Sequence, residues 1–185
     1  MSATSPAPVL PAWAKVGERR LAHITRVTAL LDRWAREMRL GAAEAQAWHD
    51  AGRWHDALRD ATEDELRALV RGTAFADSPA GVLHGPAAAT MLEREGEARA
   101  GVLLSVRWHT VGNPDWDQTG RALFMADFLE PGRGFMLADR AFLASLLPSD
   151  FDGVFRQVVR MRLEWTLREG KALFPESIAL WNGVR

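Results

Sequence analysis

Histidine and aspartate residues form a set with the chemistry of a metal site. The chain has five histidines, and His55 and Asp56 stand side by side in the sequence. Asp127 lies inside the apolar stretch 123–129, where a carboxylate is costly to bury unless a cation or hydrogen bonds compensate it. Imidazole and carboxylate ligands without sulfur suit iron, manganese, nickel or zinc, with coordination positions left open for water.

Each of these residues also has an ordinary structural role. A lone histidine at a helix end is more often a cap or a half-buried polar group, and Asp127 alone suits a buried salt bridge equally well. His49 lies six residues before His55, so it points to a different side of the same helix and is predicted to be a surface residue. The functional signal is therefore the order of the whole set: His23, His55, Asp56, His84, His109 and Asp127.

The elements that must position this set are predicted to be helices. Apolar residues recur every three or four positions from Leu21 to Met38, which indicates one face of a long helix that Gly41 would close. Thr62 and Glu65 form a capping box that opens a third helix. The segment 118–129 is apolar on most sides and is predicted to be the central helix. No run alternates with period two for long enough to indicate a strand, so the sequence predicts an all-α fold.

Composition and charge exclude several classes of protein. The net charge of −1 provides no global basic field for nucleic acid, and no apolar run reaches the roughly 20 residues needed to span a bilayer. The absence of cysteine excludes disulfides and thiolate metal sites and is typical of a cytoplasmic protein. We therefore expect a cytoplasmic protein that binds neither nucleic acid nor membranes.

The chain is long enough for one domain with a short tail. It has 185 residues, and the stretch from Met1 to Pro11 is rich in serine, alanine and proline but lacks the pattern of a signal peptide. We predict a flexible N-terminal tail over residues 1–16 and a single domain over residues 17–185.

The order of the histidine and aspartate set resembles that of the HD-domain phosphohydrolases. Within that family, the match is to the branch of bacterial symmetrical bis(5'-nucleosyl)-tetraphosphatases. The resemblance covers about Arg19 to Asn182. Its most specific motifs are H-T-x-G, which begins at His109, and A-D-x-x-E-P-x-R, which contains Asp127. The segments that carry the resemblance are Arg20–Val27, Leu83–Pro86, Arg107–Gly112 and Met125–Arg133.

The resemblance implies an all-α HD-domain helical bundle that cleaves diadenosine tetraphosphate symmetrically to two ADP. It implies that His23, His55, Asp56 and Asp127 bind iron, with manganese or another divalent metal as the alternative. It implies catalytic roles for Asp56, His84 and His109. The expected partner is a small-molecule nucleotide, and a homodimer is compatible with it. The residues expected to bind substrate are Arg20, His84, His109, Thr110, Arg133, Gly170, Lys171, Phe174 and Pro175.

The sequence departs from the resemblance after the His55–Asp56 pair. Asp60 stands where we expect a lysine, which reverses a charge near the phosphates, although Arg59 offers a substitute at the neighbouring position. Two alternatives follow: an HD phosphohydrolase that acts on another nucleotide or phosphate ester, and a non-catalytic sensor that binds nucleotide and metal. Asp60 favours the sensor, whereas the presence of every inferred metal ligand argues against it.

Overall fold

The protein, as a computed structural model describing residues 7–185, consists of α-helices joined by turns. This part of the chain contains no β-strand, and none of its helices is both long and apolar enough to cross a membrane. A short 3₁₀ turn at Ala80–Val82 precedes the fourth α-helix. The helices are α1 (Glu18–Glu37), α2 (Ala42–Trp54), α3 (Glu63–Val70), α4 (His84–Arg94), α5 (Ala100–Trp108), α6 (Gln118–Leu129), α7 (Leu137–Leu146), α8 (Phe151–Arg168) and α9 (Pro175–Val184).

Helix α6 lies at the centre of the bundle, as its apolar sequence predicts. It contacts α1, α2, α5, α7 and α8, and the stretch Ala122–Leu129 is buried throughout. Helices α1 and α2 pack against each other, and the indoles of Trp34 and Trp48 are fully buried in the core beside them. Because α6 is surrounded on all sides, Asp127 is buried in the middle of the fold rather than on its surface.

Local sequence signals set most of the helix ends. The predicted capping box is confirmed: the Glu65 backbone N–H donates to the Thr62 hydroxyl, and the Glu65 carboxylate accepts from the Thr62 backbone N–H. The prediction that Gly41 closes the first helix is wrong. Gly41 is the N-cap of α2, with φ −61°, and Arg39 takes the left-handed conformation after α1 with φ 56°. The three residues that follow α1 provide enough turn for Arg39 to adopt it.

The chain ahead of α1 contacts the helical bundle. The Lys15 backbone N–H donates to the Ala57 carbonyl at 2.7 Å, and the Asp60 N–H donates to the Lys15 carbonyl at 3.1 Å. Trp13 packs, partly buried, against the core. Residues 1–6 of the predicted tail lie outside the described residues, and the division of the chain at residues 16 and 17 stays a prediction.

Candidate metal centre and its cavity

The Asp56 carboxylate lies between two pairs of imidazole rings. Its Oδ2 is 3.6 Å from His23 Nε2 and 3.5 Å from His55 Nε2. Its Oδ1 is 3.1 Å from His84 Nε2 and 3.4 Å from His109 Nε2. All five side chains are buried. Asp56 is therefore common to two groups of three side chains, each close enough together to hold a metal ion.

The helices aim one nitrogen of each ring toward this centre. His55 follows α2 and its Nδ1 donates to the Gly52 carbonyl at 2.7 Å, while His109 follows α5 and its Nδ1 donates to the Val106 carbonyl at 2.8 Å. With Nδ1 protonated, the Nε2 of each neutral ring is left as an acceptor. The two Nε2 atoms of His84 and His109 are only 3.0 Å apart. Two lone pairs repel at that distance, so the pair needs a proton or a metal cation to bind both nitrogens.

Glu130 holds the remaining imidazole and was not predicted as a site residue. Its Oε1 is 3.1 Å from His23 Nδ1, which directs His23 Nε2 toward Asp127 at 3.1 Å. Arg26 Nε donates to Glu130 at 2.5 Å, and the Gly132 N–H donates to it at 2.6 Å. Carboxylates that accept from the outer nitrogen of a ligand histidine fix its orientation and raise its basicity. Glu130 is thus placed to position His23 rather than to bind metal itself.

Two guanidinium groups compensate the buried Asp127 carboxylate. Arg133, from the turn after α6, is bonded to Oδ1 and also donates to the Asp127 carbonyl at 2.7 Å. Arg162, from α8, lies 3.2 Å from Oδ2, and its guanidinium carbon is 4.0 Å from the centre of the Phe124 ring. Sequence reasoning identified Arg133 and missed Arg162. Asp127 is therefore a shared partner of His23 and two arginines.

A third arginine fixes the turn that carries Glu130 and Arg133. The Arg140 guanidinium is almost fully buried and donates to the carbonyls of Phe128 at 2.8 Å and of Arg133 at 2.8 Å. It also donates to the carbonyls of Glu130 and Phe135. Four backbone acceptors are thus satisfied by one side chain, and this cluster orders the polar turn behind the site.

The surrounding charges keep the candidate ligands in forms that bind metal ions. Burial alone would lower the pKa of His23, but hydrogen bonds with Asp127 and Glu130 raise it to about 9. Burial lowers the pKa of His55 to about 4. Burial would raise the pKa of Asp56, yet the neighbouring imidazoles, His55 first, hold it well below its usual value. Asp56 is anionic and His55 neutral, whereas His23 must release a proton to bind a metal.

A cavity of about 550 Å³ opens above these side chains. Its inner end is polar and its outer end is mostly apolar, where α8, α9 and the segment between them form the wall. Of the residues expected to bind substrate, Gly170 and Pro175 flank this wall, as the residue that ends α8 and the first residue of α9. The others line the cavity itself: Arg20, His84, His109, Thr110, Arg133, Lys171 and Phe174.

Asp60 does not face the cavity. Its carboxylate accepts a hydrogen bond from the Gly17 N–H at 2.7 Å, where it ties down the start of α1. Arg59 lines the cavity instead. The charge reversal inferred from the sequence is therefore absent from the cavity wall, because the neighbouring position supplies a cation.

The architecture is that of the HD-superfamily hydrolases. No protein-family model matches the chain. The structure is similar to that of a Clostridium acetobutylicum protein described as a predicted HD superfamily hydrolase involved in NAD metabolism, with a TM-score of 0.79 and 22% identity over 91% of this chain and 90% of that chain. The all-α HD-domain fold predicted from the sequence is thus confirmed.

Curated relatives share one name. The chain is 24% identical over 152 residues to the symmetrical bis(5'-nucleosyl)-tetraphosphatase of Halalkalibacterium halodurans, covering 78% of this chain and 79% of that protein. It is also 24% identical over 152 residues to the Bacillus subtilis protein of the same name, covering 78% of each. The predicted resemblance to this group is confirmed, and the curated relatives place the chain among hydrolase-like sequences.

Proposed function

We propose that this chain is an iron-dependent phosphohydrolase that cleaves diadenosine tetraphosphate symmetrically to two ADP. The observation that carries the proposal is Asp56, which is common to two histidine groups at the polar end of a cavity lined by arginines. The names of the curated relatives support the nucleotide as substrate. The position of Asp60 outside the cavity removes the feature that favoured a non-catalytic sensor.

The donor set fits a transition metal. His23, His55 and Asp56 would hold the ion, with Asp127 as the further ligand that lies 3.1 Å from His23 Nε2. Nitrogen and oxygen donors without sulfur suit iron, with manganese or another divalent metal as the alternative. When bound, such an ion lowers the pKa of water and neutralises charge on phosphoryl oxygens.

The protein side chains supply proton transfer and phosphate binding. Asp56 is anionic and can accept the proton of an attacking water. His84 and His109 lie on its other side and can donate a proton or hydrogen bond to the leaving oxygen. Arg133 and Lys171 line the same cavity and would bind the phosphates of the half that enters it, because guanidinium offers a bidentate fork to phosphate.

This arrangement favours attack in the middle of a tetraphosphate bridge. One nucleoside diphosphate half would occupy the cavity between Asp56 and Lys171, which places the second phosphorus of that half beside the ligand groups. The other ADP then leaves past His84 and Arg20, which lie on the inner wall.

Product analysis tests this proposal. Purified protein with ferrous iron under reducing conditions is expected to convert diadenosine tetraphosphate to ADP alone, as measured by chromatography of early products. ATP with AMP would contradict symmetrical cleavage. Faster turnover of a mononucleotide or a simple phosphate ester in a parallel panel would favour a different substrate. Turnover no greater than that of a metal-stripped control would contradict the hydrolase proposal itself.

Removing the Arg133 side chain is expected to weaken substrate use without loss of metal. A hydrogen bond to a charged group contributes roughly 1.5–3 kcal/mol, so Arg133→Ala should lower kcat/KM by about ten- to a hundredfold. Arg162 still compensates Asp127 in this variant. Arg121→Ala, which removes an arginine paired with the exposed Asp152, is the matched control. Normal kcat/KM in Arg133→Ala would mean that Arg133 serves only to pair with Asp127.

A further inference from the structure

The outer end of the cavity has the composition of a site for a flat apolar group. The residues that line it are mostly aliphatic or aromatic: Val159, Leu163, Trp165, Leu173, Phe174 and Leu180. Trp165 is exceptional among them, because its side chain on α8 is 47% exposed although it borders the cavity. A large exposed indole at the mouth of a cavity offers a ring face to a ligand.

One face of the Trp165 ring is covered by the Lys171 ammonium group. Lys171 Nζ lies 4.0 Å from the centre of the ring, and within residues 7–185 this ammonium forms no ion pair and no side-chain hydrogen bond. A cation over an exposed aromatic ring is held weakly in water. Lys171 can therefore leave the ring when a better partner, such as a phosphate, enters the cavity.

Helix α8 orders these groups along the cavity. Arg162 and Trp165 are three residues apart, so they lie on the same face of the helix. Arg162 contacts Asp127 at the polar end, and Trp165 lies one turn further out. A ligand along this wall thus meets cations first and a flat aromatic surface next, which matches the order of phosphate and base in a nucleotide.

We infer that Trp165 stacks against the nucleobase of the half that enters the cavity, and that Lys171 moves from the ring to a phosphate of the same half. This inference rests on the proposed function, since it assumes that the ligand is a nucleotide. Stacking on one indole is tolerant of base identity because every base has a π-face. The subsite therefore recognises a nucleoside diphosphate as a class rather than adenine alone.

Binding measurements on two Trp165 variants test the inference. Trp165→Leu keeps an apolar side chain and removes the ring, whereas Trp165→Phe keeps a ring. By calorimetry on the metal-loaded protein, Trp165→Leu is expected to raise the Kd of ADP roughly tenfold, while Trp165→Phe stays within about threefold of the unsubstituted protein. The Kd of inorganic pyrophosphate, which has no base, is expected to stay unchanged in both variants.

The control is Leu167→Ala, which removes an exposed apolar side chain from the same helix away from the cavity lining. It should bind ADP normally. Equal loss of ADP and pyrophosphate binding in Trp165→Leu, or no loss of either, overturns the stacking subsite. ADP binding does not depend on turnover, so a failure to hydrolyse diadenosine tetraphosphate would overturn the proposed function while leaving this measurement interpretable.

Discussion

Asp56→Asn is expected to lower kcat/KM by at least about a thousandfold and to reduce the metal bound per chain. Asp56 is part of both groups of candidate ligands, so its replacement weakens each of them, whereas replacing one histidine weakens one. Asparagine keeps the volume of the side chain and one oxygen but removes the charge, and the fold should survive. Metal analysis by mass spectrometry, with circular dichroism as a check on folding, measures both parts of the expectation.

Asp50→Asn is the matched control for this variant. Asp50 is a buried aspartate on the same helix, α2, but it pairs with Arg53 and Arg99 and does not line the cavity. Its replacement should cost stability while metal content and kcat/KM stay near those of the unsubstituted protein. If Asp56→Asn retained full metal content, Asp56 would not be a ligand and the assignment of the centre would be wrong.

The histidine set could be predicted because each member is marked locally. His84 begins a helix, His109 follows one, and Asp127 interrupts an apolar run. The order of these marks, together with the family resemblance, was enough to predict that they share a centre. The structure brings the four histidines around Asp56, although only the geometry reveals that Asp56 is common to two groups.

Glu130 and Arg162 could not be predicted in the same way, because their roles depend on partners far away in sequence. Glu130 bonds to His23 across 107 residues, and Arg162 to Asp127 across 35. One signal for Glu130 was available: it lies three residues after Asp127, on the same side of the central helix, within the motif that carries the resemblance. Arg162 has no such signal, since an arginine every few residues is usual on an amphipathic helix.

Asp60 illustrates a different limit. Sequence alone left its side chain free to face either the phosphates or the solvent, and it does neither, because the Gly17 N–H binds it. The turn after α2 sends consecutive side chains in different directions, so one step along the chain moves the carboxylate away from the cavity and Arg59 onto its wall. Charge at a single position is therefore a poor guide to the charge of a site until the local backbone is known.

Asp127→Ala is expected to remove bound metal and to destabilise the fold by about 3–5 kcal/mol, the usual cost of breaking a buried ion pair by removing one partner. The carboxylate is buried against His23, Arg133 and Arg162, and Arg162 is the partner that cannot reach solvent easily, because its ring contact with Phe124 and its bond to the Thr110 carbonyl hold it. The free energy of unfolding in urea measures the loss.

A double variant separates the two roles of Asp127. If the cost arises from an uncompensated guanidinium, Asp127→Ala combined with Arg162→Ala should be more stable than Asp127→Ala alone, since residues in contact give non-additive changes. Metal content should be low in both variants, because Arg162 replaces no ligand. Full metal content in Asp127→Ala would remove Asp127 from the metal site, and a double variant less stable than the single one would contradict the charge argument. Low metal content with recovered stability is the combination that assigns Asp127 both roles, as ligand and as counter-charge to α8.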